Sequence, residues 1–253
     1  MRVSKTKITS LMYIIFSFFL INAISINYSP DKIDCYSVQG KDLDIIIQEP
    51  PTDKKLRLTA DSAPIHIINN QGWIDFKLAG KCTGQGFAGD PYVIRDLVVD
   101  ATGYSYGIKI NNTNVYFRLE NCTILNIESA TKSGGIYFYQ TQNGHIENCT
   151  IANSYADGIF FENSDNNLIN NNTIYVNGFP KGIYFYNEDE YNNITNNRIF
   201  NAYYGLYIES TSDIKIINNT IIDLEDATSG WKGIYLREPT LYCTVYNNTI
   251  RSY

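Results

Sequence analysis

From residue 107 onward apolar residues alternate with polar or aromatic ones in short runs that never reach helical length. The phrase Gly107-Ile108-Lys109-Ile110 returns as Gly135-Ile136-Tyr137-Phe138, Gly158-Ile159-Phe160-Phe161, Gly182-Ile183-Tyr184-Phe185, Gly205-Leu206-Tyr207-Ile208 and Gly233-Ile234-Tyr235-Leu236. Its glycines step by 28, 23, 24, 23 and 28 residues. A second phrase, Asn-x-Thr-Ile or a near relative, follows each one and begins at Asn121, Asn148, Asn171, Asn196, Asn218 and Asn247. The apolar period is two, as in strands that bury one face. Repeats of about 23 residues in this order predict three short strands each, one circuit of a parallel β-helix. Stacked at roughly 4.8 Å, six coils would make a rod about 29 Å long. The longer steps predict turn insertions of about five residues, near 129–133 and 226–230, that project from the rod.

Residues 92–253 are therefore assigned to the β-helix, and residues 26–91, which repeat nothing, to an N-terminal cap. Within that cap Pro64-Ile65-His66-Ile67 and Trp73-Ile74-Asp75-Phe76 read as strands after a polar turn at Pro50-Pro51-Thr52-Asp53-Lys54-Lys55. A cap is needed because a solenoid exposes core and unpaired strand edges at its ends. Tyr253 stands three residues after the sixth Asn phrase. That end is expected to be open, to meet a partner chain, or to continue in further sequence. At the other terminus Arg2, Lys5 and Lys7 precede an uncharged apolar run, and Ala23-Ile24-Ser25 has a small-x-small spacing. Residues 1–25 read as a signal peptide, or as an uncleaved anchor that would be the one attachment to a membrane. The remainder is expected to be exported, to the periplasm, the cell surface or the medium.

Composition sharpens this picture. A chain of 253 residues that is 44% hydrophobic and 18% charged is not disordered. Its 29 Asn disfavour helix interiors. A formal charge of −6, more negative still without the N-terminal segment, excludes nucleic acid as a natural partner. Cys35, Cys82, Cys122, Cys149 and Cys243 form no CxxC pair and are odd in number. Cys122 and Cys149 fall at one position of adjacent coils, within reach of a disulfide.

The Asn column has a mechanical reading. Asn tolerates the left-handed backbone of a sharp corner, and stacked amides can bond from coil to coil. Asn121, Asn148, Asn171, Asn196, Asn218 and Asn247 are expected to form such a ladder, turned inward. Its rival is glycosylation, since Asn111, Asn121, Asn148, Asn171, Asn193, Asn218 and Asn247 each begin an N-x-S/T triplet. Asn111 and Asn193 lie off the ladder register and are the preferred acceptors.

The repeated segment GIYFYQTQNGHIENCTIANSYADGIFFENSDNNLINNNTI resembles the right-handed parallel β-helix repeats of the NosD-like and CASH (carbohydrate-binding and sugar hydrolysis) families, relatives of pectate lyases. The resemblance covers roughly residues 92–253, and the opening GQGFAGDPYVIRDLVVDA, at residues 84–101, is similar to the start of such domains in surface proteins. It implies an all-β, right-handed single-stranded β-helix of about six coils. Function is less constrained, because such families hold enzymes, sugar binders and scaffolds. The likeness to NosD raises copper, yet His66 and His145 are isolated and both Met lie in the first 25 residues. No metal or other cofactor is expected.

Chemistry must then come from outward positions. Two residues after each glycine stand Lys109, Tyr137, Phe160, Tyr184, Tyr207 and Tyr235, and two further on stand Asn111, Tyr139, Glu162, Tyr186, Glu209 and Arg237. An aromatic stripe of Tyr137, Phe160, Tyr184, Tyr207 and Tyr235, edged by Tyr139 and Tyr186, would suit the apolar faces of sugar rings. The same rings could merely stabilise neighbouring strands. Glu162 and Glu209, two coils apart, are candidates for a glycosidase pair, and Asp157 with Lys181 for a lyase site or a simple ion pair. Polysaccharide binding or plain scaffolding is the first expectation, with polysaccharide lyase or glycoside hydrolase as the alternative.

Overall fold

The computed structural model describes residues 24–29, 32–37, 61–223 and 230–252. The body of the N-terminal apolar segment and most of the 226–230 insertion lie outside them. Each coil gives one strand to each of three parallel sheets. The first holds β4 (Ile65–Ile68), β7 (Tyr106–Thr113), β10 (Gly134–Thr141), β13 (Asp157–Glu162), β16 (Lys181–Tyr186), β19 (Tyr204–Glu209) and β22 (Lys232–Arg237). The second holds β5 (Tyr92–Arg95), β8 (Phe117–Glu120), β11 (Gly144–Glu147), β14 (Leu168–Asn170), β17 (Asn193–Thr195), β20 (Lys215–Ile217) and β23 (Thr244–Tyr246). The third holds β3 (Asp61–Ser62), β6 (Val98–Asp100), β9 (Thr123–Leu125), β12 (Thr150–Ser154), β15 (Thr173–Val176), β18 (Arg198–Phe200), β21 (Thr220–Asp223) and β24 (Thr249–Ser252). From β7 to β24 these are the six coils of the repeat.

The register follows the sequence phrases. Ile108, Ile136, Ile159, Ile183, Leu206 and Ile234 pair in one row, and Ile124, Ile151, Ile174, Ile199 and Ile221 in another. All are at most 3% exposed, so the core is a set of aliphatic stacks between the sheets. The invariant glycine of each phrase answers to this packing. At Gly182 a Cβ would lie 2.3 Å from Ile199 Cγ2 and 2.6 Å from the Gly205 carbonyl of the next coil.

Three expectations change. Trp73-Ile74-Asp75-Phe76 is helical, part of α1 (Asn69–Leu78). Asn69 Oδ1 accepts the Gln71 and Gly72 amides, and Trp73 drops fully buried onto Tyr92 and Phe117, at centroid distances of 5.4 and 4.8 Å. A plug over the open core outweighs the strand-like alternation. Solenoid pairing also begins before residue 92, since β3 and β4 already stack on β6 and β7. At the opposite end β1 (Ile24–Ser29) and β2 (Lys32–Ser37) form a hairpin, and β2 pairs antiparallel with β22. The edge of the first sheet is thus covered there from within the chain, while β23 and β24 gain no such neighbour among the described residues.

The ladder is displaced by one residue. Asn121, Asn148, Asn171, Asn196, Asn218 and Asn247 do occupy the left-handed corner, with φ between 52° and 59°, but their side chains are exposed. The inward rungs are the next residues, Asn172, Asn197, Asn219 and Asn248, all buried. Each donates Nδ2 to the carbonyl of Ile146, Ile169, Ile194 or Ile216 in the preceding coil. In the first two coils Cys122 and Cys149 take the same place, their thiols donating to Ile94 O and Leu119 O. The ordering is steric: a residue at φ near +55° points its Cβ out of the corner, and the following residue returns inward. Cys82, Cys122 and Cys149 are free thiols.

Candidate functional site

The aromatic column is real, but it is not an exposed platform. Tyr137 (5%), Phe160 (2%), Tyr207 (8%) and Tyr235 (8%) are nearly enclosed, and only Tyr184 is half-buried. Coil spacing is close to ring-stacking distance, so each ring spends its faces on its neighbours. Phe160 lies stacked between Tyr137 and Tyr184 at 4.8 and 5.0 Å, and Tyr207 meets Tyr184 and Tyr235 at 5.1 Å each. Lysines cover what remains: Lys109 Nζ over Tyr137, Lys181 over Tyr184 and Lys232 over Tyr235, at 4.5, 4.3 and 4.2 Å. The stripe therefore holds strands together rather than offering ring faces.

The carboxylates are locked into the same pile. Tyr137 Oη donates to Glu162 Oε2 at 2.7 Å, and Lys132 Nζ pairs with Glu162 Oε1. Tyr184 Oη donates to Glu209 Oε2 at 3.0 Å, and Arg237 pairs with Glu209 Oε1 at 2.7 Å and reaches Tyr207 Oη at 3.3 Å. Burial first, and then the adjoining carboxylate, push both tyrosine hydroxyls well above their ordinary range, so they are neutral donors. Tyr186 stands between Glu162 and Glu209 in the column. The two carboxylates do not face one another across open space, and the pair expected for sugar hydrolysis is not assembled.

What the fold does open on this face is a cleft of about 690 Å³. One wall is the insertion around Ser129, Ala130, Lys132 and Ser133, and the other is the turn Asn177-Gly178-Phe179-Pro180. Its floor is Phe160, Tyr184 and Tyr186. Tyr155 and Phe179, 61% and 80% exposed, stand at the mouth. Between wall and floor lie Asp157 and Lys181: the Lys181 amide donates to Asp157 Oδ1 at 2.8 Å, and its Nζ is 3.8 Å from Oδ2. Burial pushes the Asp157 carboxyl up, against the pull of Lys181. Among the described residues no three His, Cys, Asp or Glu side chains converge as a metal site would require, and no helix is long and apolar enough to cross a membrane.

The pattern of the right-handed β-helix region matches residues 106–252. The chain belongs to the right-handed β-helix family. No curated protein and no solved structure gives a significant match. In this β-helix, then, the first sheet's outer face supplies a packed aromatic floor, and two loops off the repeat supply the walls. Sequence spacing found Asp157, Lys181, Phe160, Tyr184 and Tyr186. It missed Tyr155 and Phe179, which belong to no repeated phrase. A large ring inside Asn-Gly-Phe-Pro, a turn sequence that cannot bury it, was the available signal.

Proposed function

We propose that this β-helix is an exported or cell-surface module that holds carbohydrate in the loop-walled cleft. The observation that carries the reading is the pairing of two exposed rings, Tyr155 and Phe179, with Lys132, Asp157, Asn177 and Lys181 in one concavity. Rings meet the apolar face of a sugar, and amide, ammonium and carboxyl groups meet its hydroxyls. The volume is of the order that ligand pockets have, roughly 300–1,000 Å³. A glycan array followed by calorimetry tests it. Tyr155→Ala with Phe179→Ala should weaken the best ligand at least ~10-fold while changing stability by less than about 0.5 kcal/mol, because both rings are exposed. Undiminished binding in that variant would place the sugar elsewhere, and an array with no binder would leave the scaffold role.

The alternative, a polysaccharide lyase or glycosidase, draws on one feature. Asp157 opens into the cleft with its carboxyl held above the ordinary value, as a proton donor would need. Reducing ends or unsaturated products released from acidic polysaccharides, and lost in Asp157→Asn, would favour it.

A further inference from the structure

Five of the six corner asparagines begin an N-x-Thr triplet; Asn196, followed by Arg198, does not. The triplet alone says little, because corner Asn, inward rung and strand-opening Thr are what the coil itself demands. The side chains differ in what they do. Asn121 Nδ2 donates to Asp96 Oδ1 at 2.7 Å, Asn171 Nδ2 to Asn148 Oδ1 at 2.7 Å, and Asn247 Nδ2 to Asn218 Oδ1 at 2.7 Å. Asn148 and Asn218 act only as acceptors: among the described residues neither Nδ2 makes a hydrogen bond. Both side chains are exposed.

The two also stand three coils apart, about 14 Å along the corner at roughly 4.8 Å per coil. Carbohydrate on adjacent rungs would collide, whereas chains at this spacing clear one another. Of the off-register triplets, those at Asn111 and Asn193 are less free. Asn111 Nδ2 lies 3.1 Å from His66 Nε2 with its Oδ1 buried, and Asn193 sits half-buried within β17.

We infer that Asn148 and Asn218 are the N-glycosylation sites of this protein, an inference that rests on the export part of the reading above. The co-reactant is an oligosaccharide carried on a polyprenyl phosphate or diphosphate. Asn Nδ2 forms a bond to the anomeric carbon as the anomeric C–O bond to phosphate breaks. The phosphate leaves with the electron pair, and the amide nitrogen gives up one proton. The remaining N–H stays directed to solvent, so the ladder beneath is not disturbed.

Intact mass and glycopeptide mapping of the full chain from its producing cells test this. Two glycan increments are expected, on the peptides holding Asn148 and Asn218. Thr150→Val and Thr220→Val, which keep the corner Asn and the β-branched strand residue, should each remove one increment and leave the other. An unmodified mass overturns the inference, as does glycan confined to Asn171, Asn247 or Asn111. Cell fractionation separates the two ideas: bare protein outside the cytoplasm refutes glycosylation and leaves export standing, and bare protein inside refutes both. Should a variant fail to fold, the wild-type map decides by itself.

Discussion

The inward ladder can be tested against its exposed neighbour one residue away. Asn197 is fully buried and makes four bonds: its Oδ1 accepts Asn172 N and Asn172 Nδ2, both at 3.0 Å, and its Nδ2 donates to Ile169 O at 2.9 Å and Asn219 Oδ1 at 3.0 Å. In Asn197→Ala, Asn172 Nδ2 keeps Ile146 O and Asn219 Oδ1 keeps the Asn197 amide. Asn172 N and Ile169 O lose their side-chain partners in a buried setting. An orphaned buried polar group costs about 1–3 kcal/mol, and the vacated volume adds to it, so a loss of about 3–5 kcal/mol is expected. Asn196→Ala removes one exposed bond, to Asn170 at 2.8 Å, and puts Ala at φ 58°, a strain of roughly 1–2 kcal/mol. Asn196→Gly should lose less than Asn196→Ala, since glycine accepts that φ. Urea unfolding followed by circular dichroism, with midpoints compared at constant slope, gives each difference. If Asn197→Ala lies within about 1 kcal/mol of wild type, or is no worse than Asn196→Ala, the burial-based account of the ladder fails.

Other perturbations separate further features. Gly182→Ala should cost about 2 kcal/mol or more by forcing Ile199 and the next coil's carbonyl apart, read as a lower urea midpoint. Tyr184→Ala with Tyr207→Ala should lose several kcal/mol of stability, because the column is packed; a near-neutral result would return it to the surface. Asp189 is fully buried, with Oδ1 accepting Ser164 N at 2.5 Å and Oδ2 unpartnered, and burial raises its pKa well above 3.8 with Asp165 and Glu162 adding to the rise. The folded state thus keeps a proton the unfolded chain has released, so stability falls as pH climbs through and above about 4. Asp189→Asn should match wild type near pH 3 and exceed it by about 1 kcal/mol or more at pH 7; a constant difference across that range would refute the assignment.

The glycine and Asn phrases made the strand count and register legible, because each column obeys a single local requirement repeated six times. Four things were not legible for the same reason. The rungs were assigned to the first Asn of each pair because alternation alone does not say where a left-handed corner flips the side-chain direction. Cys122 and Cys149 as ladder members were invisible, since a thiol matches an amide only once the facing carbonyl is known. Tyr155 and Phe179 lie in turns, where no periodicity constrains orientation, and Trp73 broke its apparent alternation to plug an end that the sequence does not depict.

A second buried corner carries a shorter run of amides. Asn167 and Asn192 donate Nδ2 to Thr141 O and Ser164 O, with Gly144 N and Asn167 N returning bonds to their Oδ1, and in the next coil Ile214 takes the place. Coils that differ so little could stack out of phase, one circuit early or late, with the aliphatic rows and the long ladder still satisfied. The short run forbids it: a slip of one coil would set an amide where Ile214 belongs and strand its donors in the dry interior. The interruption therefore gives the stack a mark of phase, and filling it with a further Asn is expected to narrow the gap between the native register and a slipped one.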